Sequence, residues 1–159
     1  MGEEVDVLVR KLVEEGAAVQ ARLTALAPET WERTVYAGNE TWTGRAVLAH
    51  MITAEQGHQR LIADVVRGGP GAPPDFDVDA FNRSKVAELA GRPVAQLLDD
   101  WRSVRTGTVA LVSGLSDDDL AKRGGHPALG EGAALADFVR IVFVHARIHL
   151  RDIVRATAR

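Results

Sequence analysis

Residues Ala133–Ala158, AALADFVRIVFVHARIHLRDIVRATA, give the clearest indication of the fold. Their apolar side chains recur every three or four residues, which is the spacing of one face of an α-helix. Two histidines four residues apart lie on the same stripe. Its members are Leu135, Phe138, Ile141, Val142, His145, His149 and Ile153. We therefore predict a long amphipathic helix whose apolar stripe and both imidazoles face a protein core.

Three other segments have the same helical periodicity. Proline at Pro28 ends the first, because the residue before a proline is pushed out of the helical conformation. Thr43 is a suitable N-cap for the second, and Pro93 suits the first position of the third. The predicted helices are Glu3–Leu26, Thr43 to about Arg67, and Pro93 to near Gly114. With Ala133–Ala158 they make four long helices, each with one apolar face.

The connecting segments contain the residues that interrupt helices. Gly68–Pro74 and Arg123–Gly132 are rich in glycine and proline, and we interpret both as loops. A shorter helix is predicted at about Val78–Ala90, and Ser116–Asp119 resembles a capped single turn. No strand-like alternation competes with these helices. We expect one all-α domain over residues 1–159, an antiparallel four-helix bundle with short extra helical turns.

Composition narrows the functional classes. The chain of 159 residues is 46% hydrophobic and 26% charged, with a net charge of −3, so we expect no nucleic-acid partner. It has no apolar run of the roughly 20 residues that would span a membrane. The acidic start, MGEEVDVLVR, lacks a signal-peptide pattern, and we expect a cytoplasmic protein. Without cysteine, any metal must be held by His, Asp or Glu.

The histidine pair predicts a metal site. Residues i and i+4 on a helix are neighbours, so His145 and His149 can reach one ion. His50 lies on the inward stripe of the second long helix and supplies a third ligand. His58 is eight residues further, roughly 12 Å along that helix, and is a poor partner for His50. We predict His58 and His126 to be solvated, and the alternative for the triad is buried histidines that hydrogen-bond one another.

Three nearby residues are candidates for the surroundings of this site. Asp152, one turn after His149, could orient a ligand ring or line the pocket, or could instead be an exposed acid paired with an arginine. Asn82 could contact a polar substrate, although a surface role at a helix start is the alternative. Trp42 could pack near His50 or belong to the core, and Trp101 is assigned to the core.

Two segments resemble the DinB-like superfamily. Thr41-Trp42-Thr43 followed by Val47–Met51 resembles its "W-[ST]…vlaHl" segment, and His145–Ile153 resembles its closing "HxxxHxxQI" segment. The resemblance covers essentially the whole chain, and the stretch DVDAFNRSKVAEL (Asp77–Leu89) is similar to the branch related to mycothiol-dependent maleylpyruvate isomerase. In that branch a glutamate often stands where this chain has His145. The departure favours the three-histidine subtype of DinB and YfiT-like proteins and argues against an isomerase.

The resemblance implies a divalent metal, zinc or nickel, held by the three histidines at one end of a bundle. It also implies thiol S-transferase chemistry on a small-molecule substrate, with mycothiol or bacillithiol as the low-molecular-weight thiol cosubstrate. Two other functions stay open, namely a metal-dependent hydrolase at the same site and a non-enzymatic, stress-related or binding bundle. A homodimer formed through bundle faces is also possible, because the sequence does not show whether the apolar residues Leu61 and Val65 are buried within one chain.

Overall fold

The four predicted long helices are present in the computed structural model, which describes residues 2–158. In chain order the elements are α1 (Glu3–Thr24), a 3-10 turn (Pro28–Glu32), β1 (Thr34–Tyr36), β2 (Trp42–Thr43), α2 (Gly44–Val66), α3 (Val78–Glu88), α4 (Val94–Ser113), α5 (Asp117–Leu120), β3 (Arg123–His126), β4 (Gly130–Ala134) and α6 (Leu135–Thr157). Helices α1 and α2 each pack against both α4 and α6. The predicted four-helix bundle is therefore confirmed.

Local capping explains where several helices begin. The Thr43 side chain accepts a hydrogen bond from the backbone N–H of Ala46, so Thr43 is the predicted N-cap of α2. Ser116 and Asp119 form a reciprocal capping box around α5, which confirms the capped turn. Pro93 is the N-cap of α4 rather than its first helical residue. Helix α1 ends at Thr24, two residues before the predicted end.

The all-α fold class is confirmed, and two short antiparallel strand pairs accompany the helices. Strands β1 and β2 form one pair. Strands β3 and β4 form the other, mostly within Arg123–Gly132, which was predicted as a loop. Ala133 and Ala134, predicted as the start of the last helix, belong to β4 instead. These strands are two to five residues long, and β3 and β4 are built largely from glycine and alanine. Such short segments carry no alternating apolar pattern, so sequence periodicity does not detect them. Gly130 and Gly132 adopt positive φ in the hairpin, which favours glycine.

The β3–β4 hairpin is docked on the loop between α2 and α3 through closely approaching glycines. Gly125 N–H donates to the Pro70 carbonyl at 2.8 Å, and Ala72 N–H donates to the Gly125 carbonyl at 2.9 Å. A Cβ atom at Gly125 would lie 2.2 Å from the Ala72 carbonyl oxygen. Glycine at this position therefore lets the two loops meet, and it brings the next residue, His126, against α2.

The apolar core consists of two clusters separated by a buried polar layer. One cluster includes Val47 and Trp101, and the other includes Leu12 and Phe138. Trp101 is 1% exposed, which confirms its assignment to the core. Val65 is also buried, and the partly buried Leu61 packs against the second cluster, so neither leaves a bare apolar face. Within residues 2–158 no helix has the length and apolarity to cross a membrane.

The polar layer is a buried ion pair between α2 and α4. Arg105 donates from Nε to Glu55 Oε1 at 2.8 Å and from a terminal nitrogen to Glu55 Oε2 at 3.1 Å. It also donates to the Leu12 carbonyl, and the Thr108 hydroxyl donates to Glu55. A Cβ atom at Gly16 would lie 2.9 Å from the Arg105 side chain. Gly16 therefore interrupts the apolar stripe of α1 because it makes room for this arginine.

Candidate metal centre

Three imidazoles from two helices converge at one point of the bundle. His50 lies on α2, and His145 and His149 lie one turn apart on α6. The Nε2 atom of His145 is 3.0 Å from that of His50 and 2.9 Å from that of His149. One ligand nitrogen from each ring lies within 4.8 Å of the other two. Among the described residues, this is the group of ligand-type side chains with the spacing of a metal site.

The environment keeps these rings uncharged at neutral pH. Burial lowers the pKa of His50, His145 and His149 to about 3 each, from an ordinary value near 6.5. The neighbouring imidazoles are a second, smaller cause of these low pKa values, since a proton on one ring opposes a proton on the next. A metal ligand must be the neutral imidazole, so the donor set is ready for an ion without losing protons first.

A tyrosine and an aspartate fix which nitrogen of His149 carries the proton. The Tyr36 hydroxyl donates its single hydrogen to Asp152 Oδ2 at 2.5 Å. Its oxygen lies 2.9 Å from His149 Nδ1 and therefore accepts the Nδ1 proton. His149 Nε2 is then unprotonated, and its lone pair faces the other two rings. This is the arrangement in which a second hydrogen bond orients a metal-binding histidine.

Asp152 stays charged in this position. Burial acts to raise the pKa of its carboxyl, but the hydrogen bonds from Tyr36 and Arg151 and the charge of Arg151 bring it below its ordinary value. The Tyr36 pKa is raised by burial and by this hydrogen bond, so the phenol keeps its proton. One Asp152 oxygen accepts from Tyr36, which contacts His149, and the other pairs with Arg151. Asp152 is partly buried and does not line the cavity beside the triad, so its part in the site is indirect and it is not an exposed acid.

Apart from the contact of its Nε2 with His145, His50 is held by packing. Its ring lies against Trp42 with centroids 5.1 Å apart, so Trp42 is next to the triad as well as partly buried. The Nδ1 atom of His50 is buried and has no hydrogen-bond partner within residues 2–158. Rotation of this ring is therefore limited by the tryptophan and by the two histidines on α6.

The donor chemistry fits a shared cation. Because His149 Nε2 is unprotonated, its contact with His145 needs a proton on His145 Nε2. That proton, once directed at His149, is not available for the equally short contact with His50. A positive ion at the point of convergence satisfies all three lone pairs together, and imidazole is a preferred ligand of zinc and nickel.

Replacing Tyr36 by phenylalanine is expected to weaken zinc binding by about 10–100-fold, because the His149 Nδ1–H then loses its acceptor. A competition titration against a chromophoric chelator measures the affinity. Thr34→Val, at an exposed position of the same strand, is the matched control and should leave the affinity unchanged. Equal zinc affinity in Tyr36→Phe and the parent protein would contradict the orienting role of Tyr36.

A cavity of about 360 Å³ lies beside the triad and is lined by His50 and His145. Its walls are mostly apolar and come from α2, α3, α6 and the two docked loops. They include Leu61, Pro73, Phe76, Phe81, Pro127 and Ile141. Asn82, predicted as a candidate substrate contact, also lines this cavity. The size is that of a small-molecule site.

The prediction that His58 and His126 are solvated was wrong. His126 is 5% exposed, and its ring stacks on that of His58 at a centroid distance of 5.1 Å. Burial lowers the pKa of His126 to about 4 and also lowers that of His58. Both line the cavity, because the glycine contacts bring the hairpin over α2. His58 stays outside the group of converging nitrogens, as the helix geometry predicted.

Tyr36 was not identified from the sequence. It lies in a short connection between α1 and α2, far in the sequence from the α6 residues that it contacts. An isolated tyrosine in a connection has no pattern that marks it as functional. The contact depends on how β1 packs against α6, which the sequence alone does not show.

The family model described as the mycothiol maleylpyruvate isomerase N-terminal domain matches residues 7–154. The chain belongs to this family. The predicted relationship to DinB-like and YfiT-like helical bundles is thereby confirmed. No curated protein matches this member of the family by sequence similarity.

Solved structures support the same fold. YfiT from Bacillus subtilis, described as a probable metal-dependent hydrolase with an unusual four-helix bundle topology, has a TM-score of 0.78 and 17% identity, covering 100% of this chain and 89% of its own. The mycothiol-dependent maleylpyruvate isomerase has a TM-score of 0.69 and 14% identity, covering 96% and 63%. The chain thus spans less than two thirds of that enzyme.

The colibactin self-resistance protein ClbS, solved in complex with double-stranded DNA, is also similar. Its TM-score is 0.67 at 14% identity, covering 97% of this chain and 94% of its own. At such identities the likeness establishes the four-helix fold. The chemistry of this chain therefore depends on its own triad and cavity and not on the shared fold.

Proposed function

We propose that this protein is a metal-dependent thiol S-transferase that uses mycothiol or bacillithiol as cosubstrate. The observation that carries the proposal is the convergence of three neutral imidazole nitrogens next to an apolar cavity. Membership in a family described by a mycothiol-dependent enzyme supports the choice of thiol. Since the chain has no cysteine, a thiol nucleophile has to come from a second molecule.

The residues have distinct tasks in this proposal. His50, His145 and His149 hold the ion through Nε2 and leave coordination positions open. Zinc or nickel, when bound, supplies a Lewis acid that lowers the pKa of a thiol or water at an open position. Tyr36 and Asp152 keep His149 in the tautomer that offers Nε2 to the site. The apolar cavity places the electrophile beside the triad and excludes water from it.

The test uses untagged protein loaded with zinc or nickel, mixed with mycothiol or bacillithiol and an electrophile. We expect metal-dependent loss of free thiol and formation of the thioether. The thiol sulfur bonds to the electrophilic carbon, the bond from that carbon to the epoxide oxygen or other leaving group breaks, and the proton released by the thiol goes to that leaving group or to solvent. His149→Ala should lower turnover by roughly 100-fold or more, because two rings hold an ion poorly. Arg155→Ala, on the exposed face of the same helix, is the matched control and should retain activity. Circular dichroism establishes that both variants are folded.

Two results would overturn this proposal. Full activity of His149→Ala would remove the triad from the chemistry. Elemental analysis that finds almost no metal, together with no uptake of zinc or nickel on titration, would favour the non-enzymatic bundle. In that case the short contacts between the rings would serve only the packing of α2 against α6.

A metal-dependent hydrolase is the second candidate, and the similarity to YfiT, itself described as a probable metal-dependent hydrolase, supports it. The same triad would then activate water instead of a thiol. Turnover of 4-nitrophenyl esters by the zinc-loaded protein without added thiol would favour this function. Turnover that requires added thiol would favour the transferase.

A further inference from the structure

The cavity beside the triad has an unbalanced charge. Arg60 on α2 is a lining residue, and no aspartate or glutamate among residues 2–158 lines the cavity with it. The Arg60 guanidinium makes no ion pair within that part of the chain either. Its charge is therefore free to interact with an anion at the mouth of the cavity.

Further hydrogen-bond donors at the cavity have no partners. The Nδ1 atom of His126 accepts from the backbone N–H groups of Ala128 and Leu129 at 3.0 and 3.3 Å, which places its proton on Nε2. That Nε2–H is buried and has no partner within residues 2–158. The amide of Asn82, half-buried, also makes no hydrogen bond with these residues. The exposed Arg60 guanidinium and the Asn82 amide thus favour a ligand that brings acceptor oxygens, whereas the His126 Nε2–H is enclosed by protein.

The remaining walls suit an apolar and flat body. Phe76 and Phe81 lie 5.4 Å apart at an angle of 55°, and aliphatic side chains such as Leu61 and Ile141 line other parts of the cavity. Aromatic rings pack well against such surfaces. A hydroxyl-rich molecule would leave most of its hydrogen bonds unmade against these walls, which disfavours its binding.

We propose that this cavity binds the electrophilic substrate, and that the substrate is a small aryl carboxylate whose anionic head pairs with Arg60. That the bound molecule is a substrate rests on the proposed function, and this inference adds the chemical class of that substrate. Arg60 is a specificity-determining residue in this arrangement. The apolar walls hold the aryl body next to His50 and His145.

Calorimetric titration with unreactive probes tests the inference without any thiol. The probes are 2-naphthoate, its neutral analogue 2-naphthamide, and acetate, which has the charge without the apolar body. EDTA in the buffer prevents the carboxylate from binding through an ion. We expect 2-naphthoate to bind at least about tenfold more tightly than 2-naphthamide, and acetate to bind undetectably.

Two variants, one on α2 and one at the C-cap that follows it, test which positive charge binds the carboxylate. Arg60→Gln should reduce the affinity for 2-naphthoate to that for 2-naphthamide and leave 2-naphthamide binding unchanged. Arg67→Gln removes the same charge from the exposed end of the helix, away from the cavity, and should change neither affinity. Both side chains are exposed, so neither substitution disturbs the core.

The outcomes separate this inference from the proposed function. Equal affinities for 2-naphthoate and 2-naphthamide, or an equal effect of Arg60→Gln and Arg67→Gln, would overturn the inference. Thiol transfer to electrophiles by a protein that does not bind 2-naphthoate would also overturn it and leave the transferase proposal standing. Selective binding of 2-naphthoate without any thiol transfer would overturn the transferase proposal instead.

Discussion

Replacement of Arg105 by methionine is expected to lower the free energy of unfolding by about 3–5 kcal/mol. The side chains of Arg105 and Glu55 are 6% and 4% exposed, so the substitution leaves a carboxylate buried without its counter-charge. The lost contacts include both bonds to Glu55 and the bond to the Leu12 carbonyl. Urea denaturation followed by circular dichroism measures the change.

A matched control lies one turn away on the same helix. Arg102 pairs with Asp99, and their side chains are 65% and 69% exposed. Arg102→Met should therefore cost no more than about 1 kcal/mol, as is usual for surface ion pairs. The double substitution Glu55→Gln with Arg105→Met removes both charges and should recover part of the loss. An Arg105→Met variant as stable as Arg102→Met would contradict the assigned role of the buried pair.

Acidification is expected to destabilise the metal-free protein steeply between pH 6.5 and pH 5. Burial lowers the pKa of each triad histidine to about 3 and that of His126 to about 4. In the unfolded chain these rings bind protons below about pH 6.5, whereas in the folded protein they stay neutral. The unfolded state therefore binds more protons, and the free energy of unfolding falls with decreasing pH, by up to about 1.4 kcal/mol per pH unit for each ring.

Urea denaturation in EDTA at pH 7, 6, 5.5 and 5 measures this dependence. The range lies above the ordinary pKa of carboxyl groups, so the slope reports mainly on histidine. His145→Leu should reduce the change in the free energy of unfolding with pH by about the contribution of one histidine. The variant has one fewer ring that must remain neutral in the folded protein. A stability that does not change between pH 7 and pH 5 would show that the rings accept protons in the folded protein.

The bundle itself was predictable because helical periodicity is a local property. The stripes on the four long helices, the N-cap at Thr43 and the capping box at Ser116 are all encoded within a few neighbouring residues. Gly16 is visible in the sequence as an interruption of the apolar stripe of α1. Its cause, the side chain of Arg105, lies 89 positions further along the chain and was not predictable from α1.

In the histidine site, too, the local features were predictable from the sequence and the distant contacts were not. Because the α-helix has a fixed repeat, residue positions along the chain already indicate that His145 and His149 share one helix face and that His50 faces inward. The same repeat also excluded His58 from sharing an ion with His50, which the structure shows as a separate position. These conclusions needed only residue spacing.

The surroundings of the three rings depend on contacts between segments that are distant in the chain. Tyr36 reaches His149 because the short strand β1 packs against α6, and His126 reaches His58 because Gly125 lets a hairpin approach the Pro70–Ala72 loop. Neither contact has a sequence signature, since each joins segments that are distant in the chain and irregular in pattern. The helical repeat placed the three histidines on facing helix surfaces, whereas long-range packing of loops determined the tautomer of His149 and formed the cavity beside it.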